Sequence, residues 1–144
     1  MILDCLRIAF EPYRISYTPG AFADTVLSPE TIQQRLASMC IFVAVNDDSG
    51  IVGTVGCAVV DAHEGHLRGM AVLPEWQGRG VAEQLLQAAE AELASSLRSR
   101  ITLDTTEPLL RAMRFYETHG YRPSGRVSGF FGMPLREYEK ELTS

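Results

Sequence analysis

The sequence predicts a single α/β domain built on a mixed central sheet, and two observations carry that prediction. Continuous apolar runs rich in β-branched residues fill the middle of the chain, at 39–45 and 51–60. Amphipathic helical patterns that start after residue 80 and at Pro108 then alternate with short strand patterns. Helices inserted between strands imply some parallel pairing, so the sheet should combine parallel and antiparallel strands. One domain is expected over residues 1–144.

The first quarter of the chain predicts two helices separated by a loop. Apolar residues at helical spacing mark residues 2–13 as the first helix. Residues 16–27 contain proline and glycine and predict a long loop. Ser28 is followed by proline, which is typical of an N-cap, so a second helix should follow with Ile32 and Leu36 on its inner face.

The middle of the chain predicts three strands. The apolar runs at 39–45 and 51–60 flank a short polar turn and so predict a β-hairpin. A second turn leads into a third strand over 66–73, which Pro74 ends.

The C-terminal half predicts two helices and three further strands. The longer helix follows a glycine-rich turn, and its inner face should carry Ala82, Leu85, Leu86, Ala89 and Leu93. A short strand over 101–103 precedes the second helix, which Gly120 should end in a left-handed conformation. Two final strands are predicted over 121–127 and 131–142.

Composition excludes several classes of protein. The net charge is −5 and 12 of the 13 basic residues are arginine, so nonspecific nucleic-acid binding is not expected. No 18-residue apolar window predicts a membrane span. The first ten residues lack the basic start of a secretory signal, which favours a cytoplasmic location. Cys5, Cys40 and Cys57 lie far apart without histidine at ligand spacing, which predicts buried reduced thiols and no metal site.

The segment 67–82 carries the chemistry, because it combines a strand, a glycine-rich turn and the start of a long helix. A helix start leaves backbone N–H groups unpaired and adds partial positive charge. Gly78 and Gly80 let a ligand approach the main chain, so this turn predicts a phosphate site, to which Arg79 could add its charge. The turn lacks the patterns of a Walker A loop and of a dinucleotide-binding fold.

Two groups of residues resemble the signatures of the GNAT superfamily of N-acetyltransferases. Gln77-x-x-Gly80-x-Ala82, preceded by a strand that ends at 72–74, resembles its acyl-CoA signature. The segment 112–121 resembles the second signature, a helix that carries a phenol and ends in glycine plus an aromatic residue. The resemblance covers about residues 28–142, and the order of strands and helices also matches.

The resemblance implies the GNAT acyl-CoA N-acyltransferase fold, an α/β fold with helices on both faces of a mixed sheet that splays open beside the third predicted strand. It also implies acetyl-CoA as co-substrate, without a metal. The pantetheine arm would lie along Met70, Ala71 and Val72. The pyrophosphate would bind the amides of Gln77, Gly78, Arg79, Gly80, Val81 and Ala82. Tyr116 matches the family's phenol, which protonates the departing thiolate.

The acceptor implied by the family is a primary amine of a small molecule or peptide. An alkylamine titrates near pH 10, so a base must remove its proton. Glu64, His66 and Asp104 are the candidate bases, with Glu64 taken tentatively, and each has an alternative as a solvated residue. The acceptor side should be walled by Tyr13, Tyr17, Phe22, Asp24, Arg126, Phe130 and Phe131. A non-catalytic acyl-CoA-binding module and an acyltransferase for another acyl group or acceptor are the alternatives.

Two departures from the family bear on these expectations. The family often has asparagine where this chain has Leu109, which removes an amide that contacts the cofactor there. The family usually opens with a strand before its first helix, and here the printed chain starts almost at the helix. Either the start lies upstream, or the sheet lacks that strand and offers an edge that a second copy could cover in a homodimer.

Overall fold

A computed structural model describes residues 2–106 and 108–142. The helices in these residues are α1 (Ile2–Phe10), α2 (Pro19–Thr25), α3 (Pro29–Ser38), α4 (Val81–Ser95) and α5 (Leu110–Thr118). The strands are β1 (Cys40–Asn46), β2 (Gly50–Val59), β3 (Glu64–Val72), β4 (Arg100–Thr105), β5 (Arg122–Phe130) and β6 (Met133–Glu141). Among the described helices, none is long and apolar enough to cross a membrane.

The six strands form one mixed sheet in the order β1-β2-β3-β4-β6-β5. Only β3 and β4 pair in parallel, and their pairing runs from Glu64 opposite Arg100 to Leu67 opposite Leu103. Beyond Leu67 the two strands diverge, although β3 continues to Val72. The prediction of a mixed sheet that opens beside the third strand is therefore confirmed.

Helices cover both faces of the sheet, as expected. On one face α1 and α3 bury Leu6 and Ile32 against the β2 and β3 side chains Val52 and Ala71. The other face is covered by the apolar side of α4, whose buried residues are Leu85, Leu86, Ala89 and Leu93. The amphipathic spacing of α4 therefore fixes which side of the helix meets the sheet.

A bulge in β3 interrupts its pairing with β2. The register shifts where Thr54 and Gly56 of β2 face Ala71 and Arg68 of β3. Gly69 lies at the shift with φ of +70°, a left-handed conformation that side chains rarely adopt. A bulge disturbs the hydrogen-bond ladder, and here it lies in the strand that borders the opening.

The loop predicted over residues 16–27 is wrong, because the segment contains α2. The Thr18 hydroxyl accepts a hydrogen bond from the Ala21 N–H, and Pro19 occupies the first helical turn. This is the same start signal that Ser28 and its following proline give for α3. The first helix is also shorter than predicted, since a 3₁₀ segment (Glu11–Ser16) follows α1 directly.

Other differences concern exposure and strand ends. Leu36 was predicted on the inner face of α3 but is 47% exposed. Ile32 is the buried residue of that helix. Cys40 is exposed at the start of the edge strand β1, whereas Cys5 and Cys57 are buried as predicted. The final hairpin turns at residues 131–132, so β5 extends three residues beyond its predicted end at 127.

Candidate functional site

A cleft of about 860 Å³ occupies the opening between β3 and β4. The diverging strand ends line its floor, and the glycine-rich turn before α4 lies at one end. The aromatic side chains that line the cleft are Phe10, Tyr13, Tyr17, Trp76, Phe115, Tyr116, Phe130 and Phe131. The cleft therefore combines apolar and aromatic walls with polar and charged side chains, as ligand sites often do.

The N-terminus of α4 reaches this cleft without a side-chain cap. Gly80 is the N-cap residue with φ of +84° and makes no side-chain hydrogen bond. The first α-helical bond of the helix runs from the Gln84 N–H to the Gly80 carbonyl, at 3.1 Å. The N–H groups of residues 81–83 precede that bond and have no hydrogen-bond acceptor among residues 2–106 and 108–142, so they can bind an anion with the help of the helix dipole.

The structure brings most of the predicted cofactor-binding residues to the cleft. Those that line it are Met70, Ala71, Val72, Gln77, Gly78, Gly80 and Ala82. Arg79 instead stacks its guanidinium on Trp76, 4.9 Å from the ring centroid. Val81 packs against the apolar core, so only its main chain is available to a ligand.

Gln77 uses its side-chain amide to join two elements. Its Nε2 donates to the Val72 carbonyl at 3.2 Å, and its Oε1 accepts from Nη1 of Arg111 at 2.8 Å. The end of β3 and the first turn of α5 are thus held by one side chain.

Two hydroxyl-bearing side chains that line the cleft, Tyr116 and Thr105, make no side-chain hydrogen bond within the described part of the chain. Tyr116 is 6% exposed, and burial alone raises the pKa of its phenol, which therefore keeps its proton at neutral pH. The Thr105 Oγ1 is also buried without a hydrogen bond. An unpaired buried hydroxyl is costly, so a ligand in the cleft is a natural partner for the Thr105 hydroxyl.

A chain of polar side chains runs from the sheet into the cleft. The Thr102 hydroxyl donates to Glu64 Oε2 at 2.7 Å and lies 2.8 Å from Nδ1 of His66. Asp104 Oδ2 lies 3.6 Å from Nε2 of the same ring. His66 and Asp104 line the cleft, whereas Glu64 is paired with Arg100 at 2.8 Å.

These contacts fix the tautomer of His66. A carboxylate only accepts, so the single Thr102 proton goes to Glu64 and the Thr102 oxygen must accept from His66 Nδ1–H. Nε2 of the neutral ring then carries the lone pair. Burial lowers the pKa of His66 and raises that of Asp104, so the ring is neutral near pH 7.

Contacts between α2, the residues just before it and the last hairpin close another part of the cleft wall. The Thr18 hydroxyl donates to the Phe131 carbonyl at 2.7 Å, and the hydroxyls of Tyr17 and Thr106 lie 3.1 Å apart. Of the residues predicted to wall the acceptor side, five line the cleft, namely Tyr13, Tyr17, Asp24, Phe130 and Phe131. Phe22 instead packs in the apolar clusters, and Arg126 lies 3.7 Å from Glu137.

Sequence reasoning missed Thr102, Thr105 and Arg35 as residues of the site. Thr102 pairs directly opposite His66 in the parallel register, and nothing local to either strand announces that contact. Arg35 reaches the cleft from α3, where it reads as an ordinary helix residue. Among residues 2–106 and 108–142, no group of histidine, cysteine or acidic side chains could hold a metal ion.

An opened sheet beside an uncapped glycine-rich helix start suits a protein that binds an extended ligand with a phosphate group. The family model for the acetyltransferase (GNAT) family matches residues 2–121, so the chain belongs to that family.

Solved structures of the same fold cover nearly the whole chain. PaiA N-acetyltransferase from Thermoplasma acidophilum, in complex with coenzyme A, has a TM-score of 0.82 at 15% identity, over 98% of this chain and 91% of its own. An acetyltransferase of the GNAT family from Staphylococcus aureus Mu50 has a TM-score of 0.78 at 23% identity, over 99% of this chain and 91% of its own. A GNAT family acetyltransferase from Elizabethkingia anophelis with acetyl-CoA bound has a TM-score of 0.69 at 18% identity, over 96% of this chain and 89% of its own.

Proposed function

We propose that this protein transfers an acetyl group from acetyl-CoA to a primary amine of a small molecule or peptide, by direct attack within a ternary complex. The observation that carries the proposal is the continuous channel from the uncapped start of α4, through the opening between β3 and β4, to His66 and Asp104. The channel offers a diphosphate site at one end and a base at the other.

The residues present fit acetyl-CoA. The free N–H groups of residues 81–83 match a diphosphate, and no atom lies within 4 Å of the position that a Cβ would take on Gly78 or Gly80. The main chain of residues 70–72 borders the opening and suits the amide-bearing pantetheine arm. The unpaired Thr105 hydroxyl adds one hydrogen-bonding group inside the channel. The co-substrate would supply the acetyl thioester.

We assign His66 as the base that accepts the acceptor's proton. Its Nε2 lone pair faces the cleft, and its Nδ1–H is held by Thr102. Asp104 stabilises the imidazolium that forms, since its carboxylate lies 3.6 Å from Nε2. Glu64, the base favoured from sequence, is proposed instead to position this chain, because its carboxylate is held by Arg100 and Thr102.

Two further groups complete the transfer, in which a nitrogen–carbon bond forms and a carbon–sulfur bond breaks. Main-chain N–H groups of residues 70–72 would stabilise the negative charge that develops on the acyl oxygen. Tyr116 would donate its proton to the departing thiolate, since its raised pKa keeps the phenol protonated. The tight placement of both substrates lowers the barrier further.

The proposal includes a cytoplasmic location. Acetyl-CoA as co-substrate favours it, as does the presence of three cysteines that form no disulfide, two of them buried.

A thiol-release assay with acetyl-CoA and a broad panel of amines tests the proposal, together with equilibrium binding of CoA to the free protein. Thiol release that depends on both protein and amine supports transfer. Tight CoA binding without release for any amine would instead identify a non-catalytic acyl-CoA-binding module. Failure to bind CoA would contradict the site itself.

A further inference from the structure

We infer that the acceptor is a zwitterion, an amine that carries a carboxylate a few ångströms from its nitrogen, such as a free amino acid. The inference rests on the proposed transfer and names the substrate class for the same site. It follows from two oppositely charged regions on the acceptor side of the cleft, one beside the base and one around Arg35 and Arg68.

The first region attracts the ammonium form of the acceptor. Asp104 lies beside His66 at the sheet opening, and both side chains line the cleft. A neutral imidazole and a carboxylate together favour a cation, which can then lose its proton to Nε2. The amine therefore binds at the end of the channel where the acetyl group arrives.

The second region carries a net positive charge. Asp24 forms an ion pair with Arg68, and the guanidinium of Arg35 lies beside the same pair. Arg35 donates only to the main-chain carbonyl of Asp24, at 3.4 Å, and no carboxylate contacts it among the residues that the structure describes. Two guanidinium groups and one carboxylate therefore lie together in the wall of the cleft, and the carboxylate pairs with Arg68.

Arg35 is poorly explained as a structural residue. It is half-buried and its Nη1 lies 3.0 Å from the position that a Cβ would take on Gly69, so the guanidinium sits against the β3 bulge. A partly desolvated cation without a counterion is unfavourable unless a ligand supplies the charge. Burial and the neighbouring Arg68 lower the pKa of Arg35 to about 10, so it stays charged at neutral pH. Its planar fork suits a carboxylate.

The spacing of the two regions sets the size of the acceptor. His66 and Arg68 project from the same face of β3, two residues apart and before the bulge. Two strand residues span roughly 7 Å, and both side chains reach into the cleft between them. An acceptor that bridges these two residues therefore carries its amine and its carboxylate only a few carbons apart. A polyamine or a protein lysine would place a second cation or an uncharged backbone against the two arginines.

The test is a matched acceptor series in the thiol-release assay with the intact protein and acetyl-CoA. Each L-amino acid is compared with its amide and with the corresponding decarboxylated amine, and β-alanine and γ-aminobutyrate extend the distance between the two charges. We expect kcat/KM to be at least tenfold higher for carboxylate-bearing acceptors. Comparing the L-amino acids with β-alanine and γ-aminobutyrate then shows whether the preferred carboxylate lies on the carbon next to the amine or further away.

Variants then locate the selectivity. Arg35→Gln and Arg68→Gln should each reduce the preference for the carboxylate at least fivefold, and Arg35→Lys should keep part of it. Arg7→Gln, an exposed arginine on α1, is the matched control and should keep the wild-type preference. The acceptor series uses only the wild-type protein, so its result does not depend on whether a variant folds.

The outcomes separate this inference from the proposed function. Thiol release that is as fast with amides and decarboxylated amines as with amino acids would overturn the zwitterion and leave the transfer standing. A carboxylate preference equal in Arg35→Gln, Arg68→Gln and Arg7→Gln would overturn the assigned site. Absence of release with every acceptor would contradict the transfer itself.

Discussion

The N-termini of α3 and α4 are built in opposite ways. At α3 the Ser28 hydroxyl accepts from the Thr31 N–H at 3.2 Å, and the Thr31 hydroxyl accepts from the Ser28 N–H at 2.8 Å. At α4 the N-cap is Gly80, which has no side chain to accept anything. The chain closes a helix end where only stability is at stake, and leaves one open where a ligand can take the place of the cap.

Two neighbouring tyrosines show the same contrast. The rings of Tyr116 and Tyr121 lie 5.6 Å apart, and both side chains are buried, at 6% and 3% exposed. Tyr121 donates its hydroxyl to Glu90 at 2.7 Å, whereas the Tyr116 hydroxyl faces the cleft without a partner in the described chain. The satisfied phenol stabilises the fold, and the open one is available for chemistry.

The pair of tyrosines gives the largest expected effect. Tyr116→Phe should lower kcat about a hundredfold with little change in CoA affinity, because only the proton donor is lost. Tyr121→Phe should keep kcat within about threefold and lower the free energy of unfolding by about 1–2 kcal/mol, since it removes a hydrogen bond to a carboxylate. Steady-state kinetics and denaturant unfolding measure both. Equal rates in the two variants would rule out Tyr116 as the acid.

The two ring nitrogens of His66 differ in the same way, since Nδ1 is hydrogen-bonded to Thr102 and Nε2 makes no hydrogen bond in the described chain. A base works only when unprotonated, so kcat at saturating substrates should fall as pH drops through the His66 pKa, which burial holds below its ordinary value near 6.5. His66→Gln should remove this dependence and lower kcat at pH 8 by tens of fold. His63→Gln, at an exposed histidine just before β3, should keep the wild-type profile. An acidic limb that survives in His66→Gln would point to another base.

Filling the open helix end should weaken cofactor binding. Gly80→Asp adds a carboxylate where the diphosphate is expected, so the Kd for CoA should rise at least tenfold. Gly80→Asn is the matched control, because it has nearly the same shape, tolerates the left-handed conformation and adds no charge. The difference between the two variants, measured by calorimetry, isolates the electrostatic part. Identical affinities would contradict an anion at this turn.

Opening the closed helix end gives the smallest effect. Ser28→Ala removes half of the capping box and should lower the free energy of unfolding by about 1 kcal/mol. CoA affinity and kcat should not change, because Ser28 lies outside the cleft. Thermal or denaturant unfolding beside a CoA titration makes the comparison. A loss of CoA affinity in this variant would mean that the two helix starts are not independent.

The features that the sequence predicted well are those with a local cause. Glycine at positions 78 and 80 predicts a turn, and both residues have the positive φ that glycine readily adopts. The helical period of α4 determines its buried face. Parallel pairing within the sheet could be inferred because helices between strands demand crossovers. The start of α2 was missed, although Thr18 gives the same local signal as Ser28.

The features that escaped prediction depend on distant pairing. The assignment of Glu64 or His66 depends on which residue of β4 lies opposite each, and the register places Arg100 and Thr102 there. Neither strand carries that register in its own pattern, since both partners are polar residues on alternating positions. The contact of Arg35 with the β3 bulge likewise needs α3 to be placed over the sheet.

The bridge made by the Gln77 amide ties the glycine-rich turn, where we propose that the cofactor binds, to the helix that carries the proposed acid. One amide holds the Val72 carbonyl and Arg111, and α5 carries Tyr116 further along the same helix. A displacement of the glycine-rich turn when coenzyme binds or leaves would therefore be transmitted through Gln77 and Arg111 to α5 and to Tyr116. In the proposed reaction, coenzyme release and the placement of the proposed acid would therefore be coupled through this one amide.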